Sequence, residues 1–459
     1  MDKPQKVHFI AIGGSVMHNL AIALKKKGHI VSGSDDEIKD PSLTKLKEHQ
    51  LLPEKMGWFP EKITKDLDVL ILGMHAKTDN PELKKAQEIG LKIYSYPEYI
   101  YEQCQDKQRV VVAGSHGKTS ITAMILHVLK YNNRKFDYVV GAHIEGFDTM
   151  VQLTNEAPVV IIEGDEYPAS VIDKIPKFMH YKHHIGIISG ISWDHINIYP
   201  TLDDYVKQFD LFGDSTPKGG CLIYTDNDDV VTIVGRKERP DVERLPYKTH
   251  KHTIRNGKTY LLTESSEEIE LQIFGDHNME NINAARLACS KIGISKDKFY
   301  QAIKSFAGAD LRLQRIGEKS NTHIFKDFAH SPSKLKASIK AVKNQYPNQA
   351  LVGCIELHTY SSLTKDFLKQ YANAFKGTDE AIVYFNPEVV SAKKLETIQE
   401  QDIKKGFNND KVLVFTNVNE LEKHLLSKSW ANTNLLLMSS ANFNGMNLQQ
   451  LAKKITESV

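Results

Sequence analysis

At 459 residues the chain is long enough for about three domains. Its 41% hydrophobic and 25% charged content suits several buried cores and excludes a disordered or fibrous chain. Fifty-nine Lys and Arg against 57 Asp and Glu leave a net charge of +2, so no strong net field recruits nucleic acid or membrane.

Cys104, Cys221, Cys289 and Cys354 are scattered without C-x-x-C spacing, which points to small buried residues of a reducing compartment, not to zinc or disulfides. The opening MDKPQKVHFIAIGG runs directly into a strand, so no signal peptide is expected. No apolar run approaches membrane length, and a cytoplasmic protein is expected.

In chain order, Val7–Ile12 reads as a strand, Gly13-Gly14-Ser15 as a turn, and the following residues as a helix to about Lys27. Ile30–Ser32 resumes the sheet and Asp35 lies just past its end, as in a nucleotide-binding βαβ unit. The full G-x-G-x-x-G is absent, because Ala11, Gly13 and Val16 occupy its three positions. An NAD-dependent oxidoreductase is therefore one reading of this turn. Further strands (Val69–Gly73, Lys92–Ser95) and helices (Pro81–Glu88, Pro97–Gln105) lead to a polar boundary at residues 106–109.

The stretch around which the chain is organised is VVVAGSHGKTSITAMILHVLK, residues 110–130. Val110–Ala113 reads as a buried parallel strand, Gly114 to Thr119 as a turn, and Ser120–Lys130 as a helix. Glycines let backbone N–H groups face an anion, and a helix N-terminus adds partial positive charge. Lys118 would reach the β/γ-phosphates and Thr119 would ligate Mg²⁺. The spacing G-x-x-G-K-T is shorter than the general phosphate-loop pattern, but the flanking strand and helix favour phosphate binding over a chance turn.

Two later strands, Val159–Ile162 and Ile185–Ser189, end in Glu163-Gly164-Asp165-Glu166 and Ser192-Trp193-Asp194-His195. In a parallel sheet the ligand site lies beyond the carboxyl ends of strands, so Lys118, Thr119, Glu163 and His195 are expected at one place. Carboxylate and imidazole there suit hard cations bridging phosphates, although each alone could be a strand cap or a core histidine. Arg255-Asn256-Gly257-Lys258 is a type I′ hairpin signal. Asn278 could cap the helix opening at Gly275-Asp276, and Asn281 could face an adenine or a phosphate. Residues 306–316 read as an ordered linker into a final βαβα region with strands ending at Phe325, Ile355, Phe385, Phe415 and Met438.

Taken together, IGGSVM, GSHGKTS, EGDEY, SWDHINIY, GDHNMENINAA and DFAHSP, in this order and spacing, resemble the Mur ligases, ATP-dependent amide-forming enzymes of peptidoglycan synthesis. The resemblance covers nearly the whole chain. It implies an α/β fold of three domains: a Rossmann-like UDP-sugar-binding domain (1–106), a central P-loop ATPase domain with a mainly parallel sheet (107–312), and a Rossmann-like C-terminal domain receiving the amine (313–459). It implies ATP and Mg²⁺, with ATP held by Gly114, Ser115, His116, Gly117, Lys118, Thr119, Ser120, Asn278, Asn281, Arg312, Asp327 and His330. The metal would rest on Thr119, Glu163 and His195, the UDP diphosphate on Gly13, Gly14 and Ser15, and the sugar nucleotide also on Asp35. Lys118, Glu163, His195 and Arg312 would carry catalysis.

The reaction implied is ligation of UDP-N-acetylmuramate to L-alanyl-γ-D-glutamyl-meso-diaminopimelate through an acyl phosphate, in peptidoglycan recycling, with L-alanine as the alternative amine. EGDEYPASVIDKIPKFMHY and MSSANFNGM favour the tripeptide branch. Where the L-alanine branch carries H-R-Y-x-R, this chain has His358-Thr359-Tyr360-Ser361-Ser362, with both arginines lost. Other departures are Ser115 for a threonine, Ser331 for a second histidine, and Phe209 at a position that is a carbamylated lysine in several relatives. A monomer or weak dimer is expected, acting on small molecules and on neither nucleic acid nor membrane. A catalytically idle nucleotide-binding protein is the remaining rival reading.

Overall fold

The computed structural model describes residues 3–193, 198–309 and 312–459. Contacts divide the chain into two compact units. The first holds Met1–Ile191, Tyr205–Lys248 and Asn283–Ala302; the second holds Ser192–Asp204, Thr249–Ile282 and Ile303–Val459.

The first unit contains two sheets. β1 (Lys6–Ile10), β2 (Ile30–Ser34), β3 (Val69–Leu72) and β4 (Ile93–Ser95) pair in parallel in the order β2-β1-β3-β4. β1 stops two residues before the expected Ile12. Ala11 has φ 63°, the left-handed region that a glycine would enter more easily, and the turn begins there.

The second sheet of this unit comprises β5 (Gln108–Ala113), β6 (Asp137–Val139), β7 (Val151–Gln152), β8 (Val159–Glu163), β9 (Ile185–Ile188), β10 (Cys221–Thr225) and β11 (Glu243–Tyr247). Its order is β11-β10-β9-β5-β8-β6-β7, parallel except for β7. Val110, Val111, Ile161 and Ile162 are fully buried. Each such side chain stabilises the sheet by roughly 1.5–3 kcal/mol, so the β5–β8 seam is a firm base for the loop that leaves β5. Val112 pairs with Glu163 and Ala113 with Ile188, so the ends of three strands meet in register. The helix after β5 spans Lys118–Tyr131 and begins two residues earlier than its apolar spacing predicts.

In the second unit, β12 (His252–Arg255), β13 (Lys258–Leu262) and β14 (Glu268–Leu271) form an antiparallel sheet. Asn256 and Gly257 have φ 51° and 71°, the double left-handed turn expected of a type I′ hairpin. β15 (Gln314–Lys319), β16 (Thr322–Asp327), β17 (Ala350–Glu356), β18 (Glu380–Tyr384), β19 (Leu413–Phe415) and β20 (Thr433–Met438) follow in the order β15-β16-β20-β17-β18-β19. Only β15 is antiparallel in this sheet, and it is a correction: the tail of the expected linker is an edge strand with a bulge between Arg315 and Gly317. All four cysteines are buried and unpaired. No helix among the described residues is long and apolar enough to cross a membrane.

Candidate active site

β5 lies between β8 and β9, so the loop it releases is seated on their ends. Ser115 N donates to Gly190 O at 2.8 Å, and Ser189 N donates to Ala113 O at 3.0 Å. Gly114 has φ 129°, and a Cβ there would lie 2.8 Å from the Ser189 backbone nitrogen, so this turn needs glycine. Gly117, at φ 70°, is the N-cap of helix Lys118–Tyr131. The first amides of a helix have no acceptor within it, which directs donors and partial positive charge toward the loop.

Side chains complete the cradle. Lys118 Nζ donates to Gly114 O at 2.6 Å and to Glu166 Oε2 at 2.7 Å. Burial works against the Lys118 charge, but Glu166, then Asp165 and Glu163, more than offset it, and the ammonium is held above its ordinary pKa. Thr119 Oγ1 donates to Glu163 Oε1 at 2.7 Å, and the other Glu163 oxygen accepts from Gly141 N at 2.9 Å. Tyr205, fully buried, bonds Glu166 Oε1 at 3.1 Å and Ser115 Oγ at 2.8 Å. Asp165 pairs with Lys177 at 2.7 Å. His116 stands beside the end of β9, where a Cβ on Gly190 would lie 3.2 Å from its ring, and Ser120 is buried in the first helical turn.

The structure thus brings Lys118, Thr119 and Glu163 together as the sequence predicts. His195 falls outside the described residues. Phe209 is fully buried against Phe178 and Tyr205, an apolar setting that suits its departure from lysine. Glu166, Tyr205, Ser189 and Gly141 were not singled out by sequence reasoning. The run Glu163-Gly164-Asp165-Glu166 signalled an acidic strand end, but not that its third acid meets the loop lysine. A hydroxyl and a carboxylate 2.7 Å apart form the kind of oxygen set that a hard divalent cation takes. Elsewhere in this unit Glu98, Asp173 and His180 offer ligand atoms within 4.8 Å of one another, but Glu98 already caps its helix through Ser95 and Asp173 orders its own loop through Ile175 N.

The N-terminal turn belongs to the same unit. Gly13 N donates to Asp35 Oδ2 at 2.7 Å, and Gly14 caps helix Ser15–Lys26. Burial raises the Asp35 carboxyl above its ordinary pKa despite that hydrogen bond. Ser15 Oγ meets Met150 Sδ at 3.4 Å, and Met150 N donates to Asn19 Oδ1 at 3.0 Å.

In the second unit the helix opens at Asp276, so Asn278 is not its cap. Its amide donates to Phe274 O at 2.8 Å. Asn281 is buried one turn later. Arg312 stacks over the Phe328 ring at 4.6 Å, and His330 Nδ1 lies 2.9 Å from Phe328 O. Asp327 accepts from Leu313 N at 3.2 Å and from the Ser338 hydroxyl. Arg312, Asp327 and His330 therefore gather at the end of β16.

Three family models match in succession: "Mur ligase family, catalytic domain" over residues 6–108, "Mur ligase middle domain" over 112–289, and "Mur ligase, glutamate ligase domain" over 311–441. The UDP-N-acetylmuramate–L-alanine ligase of Clostridium acetobutylicum is 30% identical over 86% of this chain and 85% of its own. The UDP-N-acetylmuramate–L-alanyl-γ-D-glutamyl-meso-2,6-diaminoheptanedioate ligase of Haemophilus influenzae is 25% identical over 97% and 98%. In fold, the crystal structure of a UDP-N-acetylmuramate–alanine ligase from Thermotoga maritima matches with a TM-score of 0.70 at 21% identity, covering 99% of this chain and 98% of that one. Glycine turn, strand-end acids and succession of sheets thus come together with these matches, and the chain belongs to the Mur ligase family, ATP-dependent enzymes that form carbon–nitrogen bonds.

Proposed function

We propose that the chain joins UDP-N-acetylmuramate to L-alanyl-γ-D-glutamyl-meso-diaminopimelate in peptidoglycan recycling. The observation that carries the chemistry is the pairing of Thr119 with Glu163 beside a charged Lys118. A carboxylate attacking the γ-phosphate of ATP brings two anions together, so positive charge must be concentrated between them. Lys118 neutralises the β/γ-oxygens while Gly114 to Ser120 wrap the phosphates. Mg²⁺ fits the oxygens of Thr119 and Glu163, with His195 as a further ligand, and would supply the remaining charge neutralisation. The sugar carboxylate forms an acyl phosphate with loss of ADP; the peptide amine then attacks the acyl carbon, and phosphate leaves. Arg312 touches the transferring phosphoryl group, Asn278, Asn281, Asp327 and His330 contact the nucleotide, and Gly13, Gly14, Ser15 and Asp35 hold the UDP portion. The domain division 1–106, 107–312 and 313–459 belongs to the same reading.

The choice of amine rests on the end of β17. Glu356 there is buried and accepts from the Ser439 hydroxyl and from Phe443 N, tying down loop 439–446. His358-Thr359-Tyr360-Ser361-Ser362 beside it supplies no arginine for a free amino acid's carboxylate. L-alanine is the second reading, favoured by the 30% identical relative. Phosphate release with ATP, UDP-N-acetylmuramate and either amine decides between them. Turnover with the tripeptide supports the proposal, and turnover with L-alanine alone overturns it. Arg312→Ala should slow the reaction about 100- to 1,000-fold, as for other donors aimed at developing charge; a change confined to the KM of the amine removes its assigned role.

A further inference from the structure

We propose that Glu166 and Tyr205 are positioning residues of the phosphate loop: Glu166 fixes the Lys118 ammonium in place, and its charge holds down nucleotide affinity. The inference rests on reading residues 114–120 as the phosphate loop. Three acids end β8, and each has its own task. Glu163 meets Thr119 and Gly141 N, Asp165 meets Lys177, and Glu166 meets Lys118.

The Glu166 side chain is 2% exposed and that of Lys118 is 16% exposed, so this ion pair lies largely out of water. An ammonium carries three donors. Gly114 O and Glu166 Oε2 fix the direction of two, which sets the lysine over the loop before a ligand arrives and turns the third toward an incoming phosphate oxygen. Tyr205 bonds Glu166 Oε1 and the Ser115 hydroxyl, so one phenol links the acid to the loop's second residue. The same carboxylate places a negative charge beside the site of a polyanion. Its geometry therefore serves turnover while its charge opposes binding.

Substitution separates the two effects. Glu166→Gln keeps an acceptor for Lys118 and removes the charge. ADP should bind about 3- to 10-fold tighter by calorimetry. Glu166→Ala removes both, and kcat should fall about 30- to 100-fold with the KM for the sugar nucleotide unchanged. Tyr205→Phe should lower kcat about fivefold. Thermal melts confirm that each variant is folded, and the glutamine and phenylalanine variants carry the test if the alanine variant is not. Folded Glu166→Ala with the natural kcat overturns the proposal, as does Glu166→Gln binding ADP more weakly than the natural chain. Lys118→Ala run alongside reports on the phosphate-loop reading itself: retained turnover there removes that reading, whereas a dead Lys118→Ala beside unaffected Glu166 variants removes only this inference.

Discussion

Two glycine turns in the first unit share a plan and differ in what fills them. Both lead from a buried parallel strand into a helix N-terminus. At residues 114–118 the loop brings its own cation, and that cation is paired with Glu166. At residues 11–15 the turn's amides are engaged by its own sheet: Ala11 N and Ile12 N donate to Ser34 O, and Gly13 N donates to the Asp35 carboxylate. On the proposed reading the first turn meets a triphosphate, while the second sets an acid beside the hydroxyls of a ribose. Similar backbones do not imply similar ligands; the neighbouring side chains decide.

Substitutions at the two turns should fail differently. Lys118→Ala should abolish ADP release. It also leaves Glu166 buried beside a lost partner, at a stability cost on the order of 3 kcal/mol, so a cooperative melt must accompany the assay; turnover near the natural rate breaks the comparison. Glu163→Gln should weaken the Mg²⁺ requirement's midpoint by roughly 10- to 100-fold, read from phosphate release against Mg²⁺ concentration. At the other turn, Asp35→Ala should raise the KM for UDP-N-acetylmuramate about tenfold with kcat nearly unchanged, in line with a loss of ground-state binding. The smallest effect is on stability. Because burial raises the Asp35 carboxyl, the folded chain holds that proton more tightly than the unfolded chain. Its contribution is full below the ordinary value of 3.8 and is lost as pH rises through the raised value. Asp35→Asn should therefore lose less Tm than the natural chain over that interval, and parallel curves would place the raised pKa elsewhere.

The strand, glycine turn and helix at residues 108–131 were legible because the signal is local: two glycines, a lysine and a threonine sit between a run of apolar residues and a helix. The hairpin at Asn256-Gly257 was legible for the same reason. The Lys118–Glu166 pair was not, since it joins residues 48 apart and depends on β8 lying beside β5. β15, with sequence QRIGEK, is largely exposed and half charged, and a bulge breaks its alternation, so no period-2 signal survives. β11 is an edge strand carrying Pro246, a residue that argues against a strand unless its amide faces outward. Asn278 misled as a cap candidate because helix Asp276–Lys291 starts two residues before it.

The place of β5 in its sheet has a consequence for biosynthesis. The N-terminal sheet has all four of its strands once Ser95 has left the ribosome. β5 instead gains its two neighbours only when β8 and then β9, ending at Ile188, have been made. Until β8 is made Val110–Ala113 has no partner in its sheet, and until β9 follows one of its edges stays open to chaperones and to wrong partners. A nascent chain arrested before residue 185 should be cut by protease around this strand while residues 6–95 resist.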